Sequence, residues 1–149
     1  MKKSFLLLLL SVFIFSACSD DDNDGEGKDK VEVSAEMKYE VGNSYVPDVG
    51  AMIYCFQGFS DYVNYSYIGG GKYKHNETGD IVNATEKGTA GSDGIAKVSV
   101  KYSYKSLIVW ESKNIKGKYG QNVYDIKKDN PIKISEIYFS DVYQPTYPY

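Results

Sequence analysis

From residue 31 onward the chain alternates between apolar and polar positions. Val31, Val33, Ala35, Met37, Tyr39 and Val41 are separated by Glu32, Ser34, Glu36, Lys38 and Glu40. Strict alternation of this length puts one row of side chains in a core and the other in water, which predicts a long half-buried strand. Gly42-Asn43 ends it. Ala51 to Phe56 is instead a short unbroken apolar run, the pattern of a strand buried on both faces. Weaker strands are predicted at Tyr65–Ile68 and Ile81–Thr85. Alternation returns at Ala96–Tyr102, further strands are expected at Leu107–Glu111 and Val123–Ile126, and a last one starts at Ile132–Ser135 and is completed by Ile137–Phe139. No segment carries a helical apolar stripe, and β-branched and tyrosyl residues, which suit a pleated half-buried surface, dominate. Glycine-containing turns recur at Gly42-Asn43, Gly58, Gly69–Gly71, Gly79-Asp80, Gly91–Gly94 and Gly117. Short strands at this spacing predict an all-β antiparallel sandwich or barrel of about seven strands.

The first thirty residues follow different rules. Lys2 and Lys3 precede an apolar stretch, Phe5 to Phe15, broken only by Ser11, and Ser16-Ala17-Cys18 follows. A charged start, a short apolar core and small residues at a cleavage point describe a secretory signal peptide over residues 1–17. The stretch is too short for a membrane-spanning helix, which needs roughly 20 residues. Phe15-Ser16-Ala17-Cys18 resembles a bacterial lipobox, with phenylalanine where leucine is usual. The resemblance implies a lipid on Cys18 and attachment to a membrane through it; the competing reading is cleavage after Ala17 with Cys18 left as a thiol. Residues 18–30 then form an expected tether: from Ser19 to Lys30 there is no apolar side chain to bury. The acidic run Asp20-Asp21-Asp22 after the cysteine resembles the export signal of Bacteroidetes surface lipoproteins. That implies the outer face of the outer membrane, with the periplasmic face as the alternative.

Composition sharpens the division. All 17 cations are lysine, set against 20 acids, for a net charge of −3. Residues 31–149 hold 13 lysines and 14 acids, so the negative charge sits in the tether and the domain is near neutral. A near-neutral domain without arginine lacks the basic stripe and the bidentate clamp of a nucleic-acid binder. Two cysteines and one histidine are too few for a zinc or iron–sulfur site, and no cofactor is expected. If Cys18 carries lipid, Cys55 has no partner for a disulfide.

One stretch is more specific. Val49-Gly50-Ala51-Met52-Ile53-Tyr54, followed by Thr89–Val98 with its Asp93-Gly94 turn and by Tyr104–Glu111, resembles the strands and hairpin of carboxypeptidase-regulatory-like and transthyretin-like domains. Ser103 stands where those domains have glycine, and residues 62–87 form a long insertion. The resemblance implies a Greek-key sandwich over residues 31–140, followed by a Tyr/Pro tail at 141–149, and no particular activity.

Candidate chemistry is sparse, and no catalytic or metal-binding residue is expected. Cys55 lies in an apolar run, where cysteine is usually a small hydrophobe, and His75 lies in the polar segment Lys74–Glu77. Gly69-Gly70-Gly71-Lys72 lacks the length and the Ser or Thr of a phosphate-binding loop and reads as a flexible hairpin end. Tyrosine, by contrast, occurs 15 times and concentrates in the insertion. Tyr62, Tyr65, Tyr67 and Tyr73 are the candidate ligand-binding residues, because tyrosine offers a large contact area with a polar tip and few rotatable bonds. Core filling competes as an explanation in a domain with a single leucine, Leu107. The expected function is therefore a non-catalytic envelope lipoprotein that binds a glycan or a protein partner. A structural subunit of an envelope assembly is the alternative, and a hydrolase with paired carboxylates in the insertion is the weakest.

Overall fold

The computed structural model describes residues 29–102 and 104–140. The expected signal peptide, Cys18, most of the tether and the 141–149 tail lie outside the described residues. The described chain is all-β, with strands β1 (Lys30–Val41), β2 (Ser44–Pro47), β3 (Met52–Gln57), β4 (Tyr65–Tyr67), β5 (Lys72–His75), β6 (Ile81–Asn83), β7 (Glu86–Thr89), β8 (Ile95–Lys101), β9 (Lys105–Glu111), β10 (Tyr119–Asp125) and β11 (Ile132–Phe139). They form three sheets. In sheet A, β1 pairs on one side with β11 and on the other first with β8 and then with β2. Sheet B runs β10-β9-β3-β7, and sheet C runs β4-β5-β6.

The alternation of β1 does what it predicts. Val31, Val33, Ala35 and Met37 are buried, and Val100, Val98 and Ala96 of β8 sit opposite the first three. Across from them, Ile53 and Cys55 of β3 and Ile108 of β9 close a core between sheets A and B. The intervening residues of β3 and β9, Tyr54, Phe56, Leu107 and Val109, face the other way and are buried under sheet C. Sheet B is thus covered on both faces, which is why β3 reads as a continuous apolar run.

Two expectations need correction. The described residues form eleven strands rather than about seven, chiefly because β2, β5 and β7 carry almost no apolar period: Ser-Tyr-Val-Pro, Lys-Tyr-Lys-His and Glu-Lys-Gly-Thr. The sheets are also not purely antiparallel, since β11 lies parallel to β1. Along β11 the register slips between the partners of Ala35 and Met37, where Glu136 adopts φ 60°. This bulge inserts one residue, so Ile134 and Ile137, three apart in sequence, both pack on the core.

A buried polar staple fixes the loop after β9. Asp48 is fully buried, accepts a hydrogen bond from the Ser112 hydroxyl, and accepts from Asn114 through its backbone N (3.3 Å) and Nδ2 (2.8 Å). Ser112 Oγ in turn accepts from Ile115 N at 2.9 Å. Replacing Asp48 with alanine strands the buried Ser112 hydroxyl, a loss of about 1–3 kcal/mol, and frees the exposed Asn114 from the loop it fixes, each lost hydrogen bond adding about 1 kcal/mol. Denaturant unfolding of Asp48→Ala is expected to show a loss of about 3 kcal/mol; a change within about 0.5 kcal/mol, as for ordinary surface positions, would mean that water replaces the staple.

Candidate functional site

The insertion between β3 and β7 builds the third layer, and its tyrosines explain themselves there. Tyr67 and Tyr73 lie opposite each other on β4 and β5, as do Tyr73 and Val82 on β5 and β6, so they share the inward face. Tyr73, 1% exposed, is the hub. Its ring meets Phe56 and Tyr67 at 5.1 Å, Phe59 at 5.5 Å and Tyr62 at 6.3 Å between centroids. Phe59 packs edge-on against Tyr65 at 5.0 Å, and Tyr65 against His75 at 4.8 Å. Tilted and edge-to-face contacts of this kind add roughly 0.5–1.5 kcal/mol per pair beyond area burial. The structure therefore brings all four candidate tyrosines together, but around a core: Tyr73 is inaccessible, and Tyr62, Tyr65 and Tyr67 are half-buried with their rings packed.

The glycine run is a fixed anchor rather than a loose hairpin end. Gly69, Gly70 and Gly71 have φ of 86°, 61° and 69°, a left-handed succession that side-chain-bearing residues resist. This geometry turns Gly70 N toward Glu111 Oε2 (3.0 Å) and Gly71 N toward the Tyr67 hydroxyl (3.0 Å), which itself donates to Glu111 Oε2 at 2.6 Å. Gly71 also presses on the Tyr54 ring; a Cβ there would lie 2.5 Å from Cδ1. Tyr119 of β10 packs against the outer side of Tyr67 at 4.6 Å. Two backbone amides, two phenols and one carboxylate thus clamp sheet C to sheet B.

Beside this clamp opens a cleft of about 380 Å³, between the glycine turn and the β6–β7 segment. Tyr54, 7% exposed, forms part of its floor. Gly70 and Gly71 line one side, and Asn83, Thr85, Glu86 and Lys87 line the rest. Lys87 pairs directly with Tyr54 across β7 and β3. Ala84 N bonds to Gly71 O (2.8 Å) and Thr85 N to Cys55 O (2.8 Å), so the backbone of this wall is held at both ends. None of these lining residues is among the four candidate tyrosines. Tyr54 is masked in sequence by its apolar run, and Lys87 lies on a strand with no apolar period. The signal that was available is the triple glycine, which only a turn with positive φ requires.

The chemistry of the buried groups is quiet. Burial pushes the Cys55 thiol up to about 12, the nearby Ser106 and Thr85 hydroxyls opposing the rise and the Glu86 charge adding to it. Cys55 faces sheet A, whereas His75 belongs to sheet C and uses Nδ1 to accept from Thr78 N (3.1 Å) and Glu77 N (3.3 Å). The structure does not bring this cysteine and histidine together. No cluster of three or more His, Cys, Asp or Glu able to hold a metal occurs among the described residues.

Burial also raises the phenols of Tyr67, Tyr73 and Tyr54 above their ordinary 10.0, reinforced at Tyr67 and Tyr54 by the Glu111 charge. For an acid whose folded value is raised, stability is complete below the unfolded value and is lost as pH climbs toward the folded one. Unfolding free energy is therefore expected to hold up to about pH 10 and then fall by up to about 1.4 kcal/mol per pH unit for each such phenol. Tyr73→Phe removes the most buried of them and should flatten the alkaline limb; an identical limb in wild type and variant would show that another group controls it.

No family model matches the sequence, and no curated protein matches it. Among solved structures the chain is similar to GBS52, the minor pilin of the Gram-positive pathogen Streptococcus agalactiae, at 14% identity and a TM-score of 0.43. The alignment covers 81% of this chain and 48% of the pilin, so the chain spans about half the length of that protein. Likeness at this level carries no conclusion about partners or activity. The described residues form an all-β domain of eleven strands in three sheets, with an aromatic third layer and a polar cleft at its margin.

Proposed function

We propose that this chain is a non-catalytic binding module of a bacterial envelope, and that its ligand is a short glycan taken at the cleft beside Tyr54. Lipid on Cys18 would hold it to the outer membrane, and the acidic tether would lift the domain off the surface. The carboxypeptidase-regulatory-like reading of the sandwich fits a module that binds without reacting. The observation that carries the proposal is the composition of the cleft. A tyrosine forms part of the floor, Asn83, Glu86 and Lys87 supply donors and acceptors around it, and glycine backbone forms the wall. The narrow exposed margin of a phenol, ringed by polar groups, suits the hydroxyl edges of a sugar. A cleft open to solvent suits recognition better than chemistry that must exclude water.

The test is binding of the full-length protein to an array of bacterial and host glycans, repeated with Asn83→Ala and Lys87→Ala. Both residues reach solvent, so their loss should leave folding intact. Binding by wild type that falls at least tenfold in either variant is the expected result. No glycan bound, or binding indifferent to both substitutions, would remove the cleft from consideration.

A further inference from the structure

The floor of the cleft contains a buried polar group that the fold does not satisfy. Tyr54 is 7% exposed, yet its hydroxyl makes no hydrogen bond among the described residues and is not sealed from solvent. Buried hydroxyls normally have a partner. Burial and the Glu111 charge hold this phenol above its ordinary 10.0, so near neutral pH it keeps a proton to donate.

A cation shares that floor. Lys87 lies directly opposite Tyr54 across β7 and β3, so the two side chains leave on one face. Lys87 is exposed and makes no ion pair or hydrogen bond among the described residues. Most other polar groups nearby are engaged. Alternation turns Glu86 toward Lys30, whose Nζ lies 3.9 Å from its carboxylate. Thr85 Oγ1 donates to Cys55 O at 2.9 Å and accepts from Gln57 N at 3.2 Å. Glu111, whose charge reaches Tyr54, is not part of the lining, and its Oε2 already accepts from the Tyr67 hydroxyl and from Gly70 N. Asn83 remains, an amide that can donate or accept. The unspent side chains of the cleft are thus a phenol, an ammonium and an amide, a set rich in donors.

We propose that the cleft selects an acidic sugar, whose carboxylate is held between the Lys87 ammonium and the Tyr54 hydroxyl. This rests on the reading of the cleft as a glycan site and adds the class of sugar. A carboxylate matches the donors: it brings one negative charge and two oxygens, one for each. Charge-assisted bonds of this kind are shorter and about twice as strong as neutral ones. A phosphate group brings about −1.5 to −2 charge and three acceptor oxygens. That exceeds what one free lysine can meet in a chain without arginine. A neutral sugar leaves the ammonium to water and gains nothing from it.

The test is binding of the full-length protein at neutral pH to an array with four arms. These are uronate- and sialate-containing oligosaccharides, the same oligosaccharides as carboxyl methyl esters, their neutral counterparts, and phosphorylated glycans. Expected is binding confined to the free acids, weakened about tenfold or more by esterification, by Lys87→Gln and by Tyr54→Phe. Lys116→Gln, at an exposed lysine in the loop after β9, should leave binding unchanged. In Lys87→Gln the acid and its ester should be bound alike. Tyr54→Phe should keep the wild-type unfolding midpoint, since the hydroxyl it removes bonds to nothing in the fold; a lowered midpoint overturns its assignment to a ligand. Esters or neutral glycans bound as well as the acids overturn the acidic-sugar assignment alone and leave the cleft reading standing. A preference for phosphorylated glycans, or equal losses in Lys87→Gln and Lys116→Gln, overturns it as well. No glycan bound at all overturns both.

Discussion

Gly88→Ala is expected to destabilise the domain by about 3 kcal/mol or more, at the upper end of what overpacking a core usually costs. Gly88 sits on β7, the edge of sheet B, where it passes over β8 of sheet A. A Cβ at this position would lie 2.0 Å from the backbone oxygen of Lys97 and 2.8 Å from its carbonyl carbon, with Ile53 Cγ2 at 3.1 Å. The first two are backbone atoms of a paired strand and cannot swing aside. Relief requires the sheets to separate at this corner, and the core residues Ile53, Ala96 and Val98 lie beneath it. Gly117→Ala is the control. Gly117 has φ 74° but nothing within 4 Å of its virtual Cβ, so only the left-handed backbone penalty of about 1–2 kcal/mol applies. Denaturant titration followed by fluorescence of Trp110, the single tryptophan, reads both variants. Equal losses at Gly88 and Gly117 would show that the sheets yield where these contacts say they cannot.

Tyr73→Ala should cost about 3–5 kcal/mol, the usual range for truncating a fully buried aromatic. Its distinguishing mark is where the loss appears. Tyr73 links sheet C to sheet B through Phe56 and through its hydroxyl, which donates to Gln121 Oε1 of β10. Without that ring, β4–β6 retain their own pairing but lose their main attachment. Hydrogen exchange should accelerate at the amides of β4, β5 and β6 while those of β1 and β8 stay protected. Tyr73→Phe keeps the ring and removes only the hydroxyl, so about 1 kcal/mol is expected from it. Uniform acceleration across all three sheets in Tyr73→Ala would mean that the layers unfold as one unit and that the third is not separable.

The strands with a face in the main core were legible in the sequence. β1, β3, β8, β9 and β11 announce themselves by alternation or by an unbroken apolar run, because burial on one or both faces dictates those patterns. Ile134 and Ile137 even carry the trace of the bulge, since their spacing breaks a period of two. β2, β5 and β7 were hidden for a physical reason. They are held by ladder hydrogen bonds and by contacts of backbone, glycine or one tyrosine, none of which leaves a hydrophobic period. The cleft was hidden similarly, because Asn83 and Lys87 differ in no local way from ordinary solvated residues. The tyrosines were visible as a cluster, but only the three-dimensional pairing of β4 with β5 decides that they look inward.

The parallel pairing of β1 with β11 carries a kinetic consequence. The central strand of sheet A receives one of its neighbours from the far end of the chain, with Val33 beside Ile132. A contact between residues roughly a hundred positions apart requires a large loop to close before it contributes anything, and such topologies fold slowly. Until residues 132–139 have arrived, β1 has an open side and the A–B core lacks Phe139. A chain made in N-to-C order would therefore stay incomplete until nearly all of the domain had been synthesised. The last strand to be made is thus the one that closes sheet A, so the locking step falls at the end of synthesis.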